Sequence, residues 1–187
     1  MAINSHPKEI SDQLTRILLP ADVIELRVST LARQISQDYA DVDQLYMIGI
    51  LKGAFIFLAD LSRQLTIPHV VDFMALSSYG MKATQSGAVR IIMDLRESIE
   101  GKHVLIVEDI LDSGNTLNYL INLLKDRQPA SLRTCVFLHK TVRSSAAPID
   151  YLGFEIPDVW VVGYGLDYAD TFRTLPYVAE LNRSLLT

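Results

Sequence analysis

The chain has 187 residues, a length that suits one domain, and 49% of them are hydrophobic, enough for a sizeable core and too many for a disordered chain. A formal net charge of -5 argues against the basic face of a nucleic-acid binder, so an anionic substrate would need locally placed cations or a bound metal. No apolar run approaches the roughly 18 residues of a membrane span, and His6, Pro7, Lys8, Glu9 and Asp12 break up any secretory leader. The single cysteine is what points to a reducing cytoplasm.

In chain order, apolar runs alternate with helical patterns, as in a parallel α/β sheet. Ile24, Val28, Leu31 and Ile35 recur at helical spacing and predict a helix from Asp22 to Tyr39, with Asp22 and Glu25 as its cap. Leu45 to Leu51 reads as a buried strand. Ala54, Leu58, Leu61 and Leu65 share one face of a second helix, and Val70 to Leu76 reads as the next strand. Ser77 to Ala88 is mostly polar, contains Gly80 and Gly87 and has no periodicity, so it reads as a loop, with Val89 to Met93 as the returning strand. His103 to Val107 predicts a further strand. Leu117, Leu120, Ile121 and Leu124 predict the third helix, and Thr134 to Leu138 and Val159 to Val162 two more strands. Cys135, the only cysteine, lies in the apolar run Cys135-Val136-Phe137-Leu138; it reads as a small buried hydrophobe, and no internal disulfide can form. From about Gly165 the chain reads as irregular and is expected to cover one end of the sheet.

The segment richest in chemistry is Val104-Leu105-Ile106-Val107-Glu108-Asp109-Ile110-Leu111-Asp112-Ser113-Gly114-Asn115-Thr116-Leu117. An apolar strand ends in two acids, a third acid opens a turn of small polar residues, and a helix begins. Ligands of open α/β sheets bind at the carboxyl ends of strands, and a helix N-terminus offers unpaired amides to an anion. Asp112, Ser113, Gly114, Asn115 and Thr116 form such a phosphate cradle, in which Gly114 permits close backbone approach. Ionised carboxylates only accept hydrogen bonds, so Glu108 and Asp109 suit the hydroxyls of a sugar and can also hold a divalent metal. A single acid at a strand end is usually just a solvated loop start. Neither G-x-x-x-x-G-K-[ST] nor G-x-G-x-x-G is present, which excludes a P-loop and leaves a dinucleotide-binding domain unsupported.

Val107 to Leu117 resembles the phosphoribosyl diphosphate motif of type I phosphoribosyltransferases. Three further segments are similar to the hypoxanthine-guanine branch: Leu51-Lys52-Gly53, Ser77-Ser78-Tyr79-Gly80, and Trp160-Val161-Val162-Gly163-Tyr164-Gly165-Leu166-Asp167-Tyr168-Ala169 with Phe172-Arg173. The likeness runs from about residue 45 to residue 178. It implies an α/β fold: a single domain over 1–187, with a mostly parallel twisted sheet flanked by helices, a core over about 40–165 and a small hood from the N-terminal segment and 165–187. It implies transfer of 5-phosphoribosyl from phosphoribosyl diphosphate to hypoxanthine or guanine in purine salvage, with Mg²⁺ as cofactor. Xanthine is a third base that these motifs do not separate.

The resemblance also implies roles. Asp112 is the general base or acid at the purine N7. Glu108 and Asp109 hold the ribose hydroxyls, partly through Mg²⁺, which Asp167 also reaches. Residues 112–116 bind the 5′-phosphate, Lys52 and Gly53 line the diphosphate pocket behind a cis peptide, and Arg173 neutralises the leaving diphosphate. Ser78 and Tyr79 belong to a lid over 77–88 that excludes water. Lys140 selects a 6-oxo base, because an ammonium only donates hydrogen bonds and meets another donor opposite adenine. Trp160 stacks on the purine, Val161 reads it through its backbone, and Asp167 lies beside both. Trp160 stands where the branch more often has phenylalanine, and Asn115 where some members carry a basic residue. Members commonly form homodimers or homotetramers. A non-catalytic nucleotide-sensing regulator of the same fold is the alternative. A phosphoacceptor receiver domain fits less well, because its acidic pair follows the first strand.

Overall fold

The computed structural model describes residues 13–78, 89–141, 147–182 and 184. Strand β1 (Leu14–Leu19) leads into helix α1 (Ala21–Asp38), which buries the stripe Ile24, Val28, Leu31, Ala32 and Ile35. Asp22 does not cap this helix: Pro20 holds the cap position, and Asp22 lies in the first turn. There its charge faces the positive end of the helix dipole instead.

Strand β2 (Leu45–Leu51) is apolar and buried at nearly every position, as a central parallel strand covered on both faces must be. Its side chains alternate between two cores. Leu45 and Met47 join α1 and helix α2 (Phe55–Gln64) on one face, and Tyr46, Ile48 and Ile50 join the second core on the other. Strand β3 (His69–Ser78) pairs parallel with β2, and β4 (Val89–Met93) returns antiparallel at the edge. On its other side β2 pairs parallel with β5 (His103–Leu111). Helix α3 (Asn115–Lys125) follows and buries Leu117, Leu120, Ile121 and Leu124 in the second core. Strands β6 (Ser131–Lys140) and β7 (Tyr151–Ile156) continue the parallel set, giving the order β4-β3-β2-β5-β6-β7.

The expected mostly parallel sheet flanked by helices is therefore present. β2 connects through α2 to β3 on one side, whereas β5 connects through α3 to β6 on the other. The strand order thus reverses between β2 and β5, and a crevice opens at their carboxyl ends. The β2–β5 ladder stops at Gly49 and Val107, while β5 stays paired with β6 to Leu111 and His139. β5 consequently runs four residues past its expected end, and Glu108 and Asp109 lie within the strand, where it has lost one neighbour.

Strand β8 (Val161–Val162) and β9 (Val178–Leu181) complete a small antiparallel sheet, β1-β9-β8, that joins both ends of the chain as the expected hood. Tyr164 ties the hood to the body. Its ring packs 4.8 Å from that of Phe137, and its hydroxyl donates to Asp60 at 2.7 Å. Cys135 is buried as expected, and burial pushes its thiol well above the usual range. At the β7 edge, Arg27 of α1 donates to the carbonyls of Leu152 and Gly153, which satisfies acceptors that a solvent-exposed edge would leave open.

Candidate active site

Two cavities flank the end of β5. The smaller, about 150 Å³, is lined by residues 108–114, Thr116 and Leu117. Gly114 caps α3 at φ 78°, a left-handed conformation that glycine adopts without a Cβ clash, and no side chain caps the helix start among the described residues. The first amides of α3 are thus left for an anion, with the helix dipole behind them.

Glu108 is buried, and its Oε2 has no hydrogen-bond partner among the described residues. Asp109 lies against the backbone that follows β2: a Cβ on Gly53 would meet the Asp109 Oδ2 at 1.5 Å. Burial pushes the Glu108 carboxyl well above the usual carboxylate range, and the neighbouring Asp109 charge adds to this; burial also raises Asp109. An isolated fold would not keep two such acids side by side, because burying an unpaired polar oxygen costs free energy. They suit a ligand that brings hydroxyls or a cation.

The second cavity, about 240 Å³, is lined by Asp109, Ile110, Asp112, Lys140, Trp160, Val161, Leu166 and Asp167. It shares Asp109, Ile110 and Asp112 with the first. The acid at 112 therefore stands in the wall between an anion cradle and a partly aromatic pocket. Lys140 comes from the end of β6 and is only 11% exposed; its Nζ is 3.2 Å from Asp158 and 4.0 Å from Asp112. Trp160 is 50% exposed, with Tyr168 edge-on at 6.2 Å, so it is a pocket wall and not a core aromatic.

The cations lie on a third flank. The Leu51-Lys52 peptide is cis, as expected. The Lys52 Nζ is 2.9 Å from the Asp170 Oδ1. The Arg173 Nη2 is 2.8 Å from that same oxygen and 2.8 Å from the Asp167 Oδ1, while Nη1 donates to the Gly165 carbonyl at 2.9 Å. Gly165 packs so closely that a Cβ there would meet the Gly53 carbonyl oxygen at 2.0 Å. The β2 loop and the hood segment are therefore in direct backbone contact.

The structure thus brings together Lys52, Gly53, Glu108, Asp109, Asp112, Ser113, Gly114, Thr116, Lys140, Trp160, Val161, Asp167 and Arg173, and Asn115 begins α3 beside them. Ser78 ends β3, and Tyr79 with the rest of the expected lid lies outside the described residues. Glu108, Asp109 and Asp167 do not gather as a three-ligand metal cluster among the described residues. Asp167 engages Arg173 with one oxygen and accepts the Asp170 amide with the other at 2.8 Å. Asp158 and Asp170, the acids that hold Lys140 and the Lys52–Arg173 pair, have no counterpart among the sequence candidates. Asp158 lies 18 residues from its lysine, and Asp170 lies 118 residues from Lys52 although only three from Arg173, so no local spacing marks the Lys140 or Lys52 pairing.

The phosphoribosyl transferase domain family matches residues 16–169. The chain is 52% identical over 162 residues to the hypoxanthine-guanine phosphoribosyltransferase of Dictyostelium discoideum, covering 84% of this chain and 90% of that one. It is 45% identical over 167 residues to the hypoxanthine phosphoribosyltransferase of Escherichia coli K12, covering 88% and 94%. The crystal structure of a Staphylococcus aureus hypoxanthine phosphoribosyltransferase matches its fold with a TM-score of 0.91 at 38% identity, covering 100% of both chains. The chain belongs to the type I phosphoribosyltransferases, in their hypoxanthine(-guanine) branch.

Proposed function

We propose that phosphoribosyl diphosphate lies across the β2–β5 crevice and that a 6-oxopurine fills the adjoining pocket, so that the reacting atoms meet at Asp112. The activity is hypoxanthine(-guanine) phosphoribosyltransfer in purine salvage. A purine nitrogen displaces diphosphate from C1 of the ribose, giving IMP or GMP. The observation that carries the placement is the shared wall: Asp112 lines both cavities.

Each residue then has a defined task. The amides and hydroxyls of residues 113–116 bind the 5′-phosphate. Glu108 and Asp109 accept the ribose hydroxyls. Substitution at an anomeric carbon passes through an oxocarbenium-like state, so the enzyme must stabilise the leaving group and manage the proton of the base. Lys52 and Arg173 supply positive charge to the departing diphosphate. Asp112 accepts or returns the proton at N7. Lys140 donates to the 6-carbonyl, Trp160 covers the ring, and Val161 and Asp167 complete the pocket. Mg²⁺ is the proposed cofactor, which Glu108 and Asp109 would hold and Asp167 would reach; the unpaired Glu108 Oε2 is the hard oxygen donor this ion prefers. When bound, it would neutralise phosphate charge alongside the protein's own cations. Ser78 and Tyr79 start the proposed lid. The reading extends to one domain over the whole chain, assembled as a homodimer or homotetramer in the cytoplasm, without nucleic-acid or membrane partners. Among the described residues, no helix is long and apolar enough to cross a membrane.

The test is direct. The protein is incubated with phosphoribosyl diphosphate, Mg²⁺ and each purine in turn, and nucleotide and diphosphate are quantified. Turnover is expected with hypoxanthine or guanine and not with adenine, and Asp112→Asn should lose about 10²–10⁴-fold in rate with an unchanged melting temperature. Failure with every 6-oxopurine would falsify the reading.

A further inference from the structure

Lys52 and Arg173 come from segments 118 and 3 residues away from Asp170, yet both converge on one oxygen of its carboxylate, at 2.9 and 2.8 Å. A single anionic oxygen bridging an ammonium and a guanidinium is what a diphosphate oxygen would also provide. The Asp170 side chain is 67% exposed, so it is not a core ion pair and can move aside without opening the fold. Its backbone is fixed independently. Asp170 has a left-handed φ of 61°, between Ala169 at 50° and Phe172 at 71°. Its amide donates to the Asp167 Oδ2 at 2.8 Å, so the turn does not depend on the Asp170 carboxylate. The two cations hold that carboxylate below the usual carboxylate range, with the Arg173 hydrogen bond as the larger cause, so it stays charged at neutral pH.

We infer that Asp170 is a positioning residue for the leaving group: its carboxylate holds Lys52 and Arg173 together whenever diphosphate is not bound, and diphosphate binds by displacing it. This rests on the reading that Lys52 and Arg173 face the diphosphate. An internal anion of this kind has two effects. It keeps two flexible cations ordered and converged, and it competes with the diphosphate group, which weakens binding and speeds departure of the product. A residue that merely supported the fold would do the first without the second.

The experiment measures product inhibition by diphosphate in the forward reaction, with KM for phosphoribosyl diphosphate, for the wild type and four variants. Asp170→Asn keeps the shape and suits a left-handed φ, and Asp170→Gly removes the whole side chain at a position glycine also tolerates. Both variants should lower the inhibition constant for diphosphate by roughly two- to fivefold, the scale of one exposed ion pair, and lower KM in parallel. Lys52→Ala and Arg173→Ala should raise both. If the two Asp170 variants leave the inhibition constant unchanged or raise it while the Lys52 and Arg173 variants weaken binding, the competing-anion role is overturned and the diphosphate site stands. If the Lys52 and Arg173 variants also leave it unchanged, the diphosphate assignment falls, and the role of Asp170 falls with it.

Discussion

Among the described residues Glu108 has no counter-charge at the end of β5, where β2 no longer pairs, so its ionised form is the costly one. Burial raises its carboxyl well above the ordinary value of 4.5, and Asp109 adds to the shift. The sign follows from linkage. Between the unfolded and the folded pKa the native state holds a proton that the unfolded chain has lost, so stability is full below the unfolded value and falls as pH rises through the folded one. Glu108→Gln removes that loss. Without substrates, its melting temperature should exceed the wild type's by a margin that grows from pH 5 to pH 8, at about 2–4 °C per kcal/mol. Turnover should drop in the same variant. A margin that shrinks with pH would show that Glu108 is already satisfied by the protein. At this scale the sequence was informative about the acids and the turn that line the two cavities, because strand-end acids and a small-residue turn are local patterns. It was silent about Asp158 and Asp170, whose lysines reach them only through the fold.

Among the elements, β5 diverges most from its sequence pattern. Its apolar run stops at Val107, yet pairing continues to Leu111 because β6 remains alongside. A charged residue reads as a strand end, but here a pair of acids occupies the crevice side of a continuing strand. β1, β7 and β9 were not legible either. β1 and β9 are short and pair with each other across the full length of the chain, and β7 is an edge strand containing Gly153 and Glu155. The loop after β2 gives the test at this scale. Its Gly53 has no room for a methyl group beside Asp109. Gly53→Ala must therefore rotate or push back that carboxylate, which belongs to a side chain and can yield. Activity is expected to fall about 10²-fold, the effect of roughly 1 Å of misplacement at a reacting centre, with little change in melting temperature. Activity within a few-fold of wild type would show that the position of Asp109 is not critical.

For the whole molecule, the alternation of apolar runs and helices predicted the parallel sheet, and the reversal of strand order between β2 and β5 explains why chemistry gathers there. The hood was expected in outline, but its attachment was not. Tyr164, at a φ of 51°, packs on Phe137 and donates to Asp60, while Gly165 presses on Gly53. The contacts to Asp60 and Gly53 join residues more than a hundred positions apart, so only the folded chain displays them. They set the hood segment carrying Asp167, Asp170 and Arg173 against the sheet end carrying Asp109 and Asp112, and the larger of the two cavities depends on that seating. A crystal structure of the protein with a bound purine nucleoside monophosphate tests it most directly. The phosphate should lie on the amides of residues 113–116, the purine against Trp160 with its 6-carbonyl at Lys140, and N7 within hydrogen-bond reach of Asp112. A nucleotide bound elsewhere, or with its phosphate and base in exchanged cavities, would contradict it.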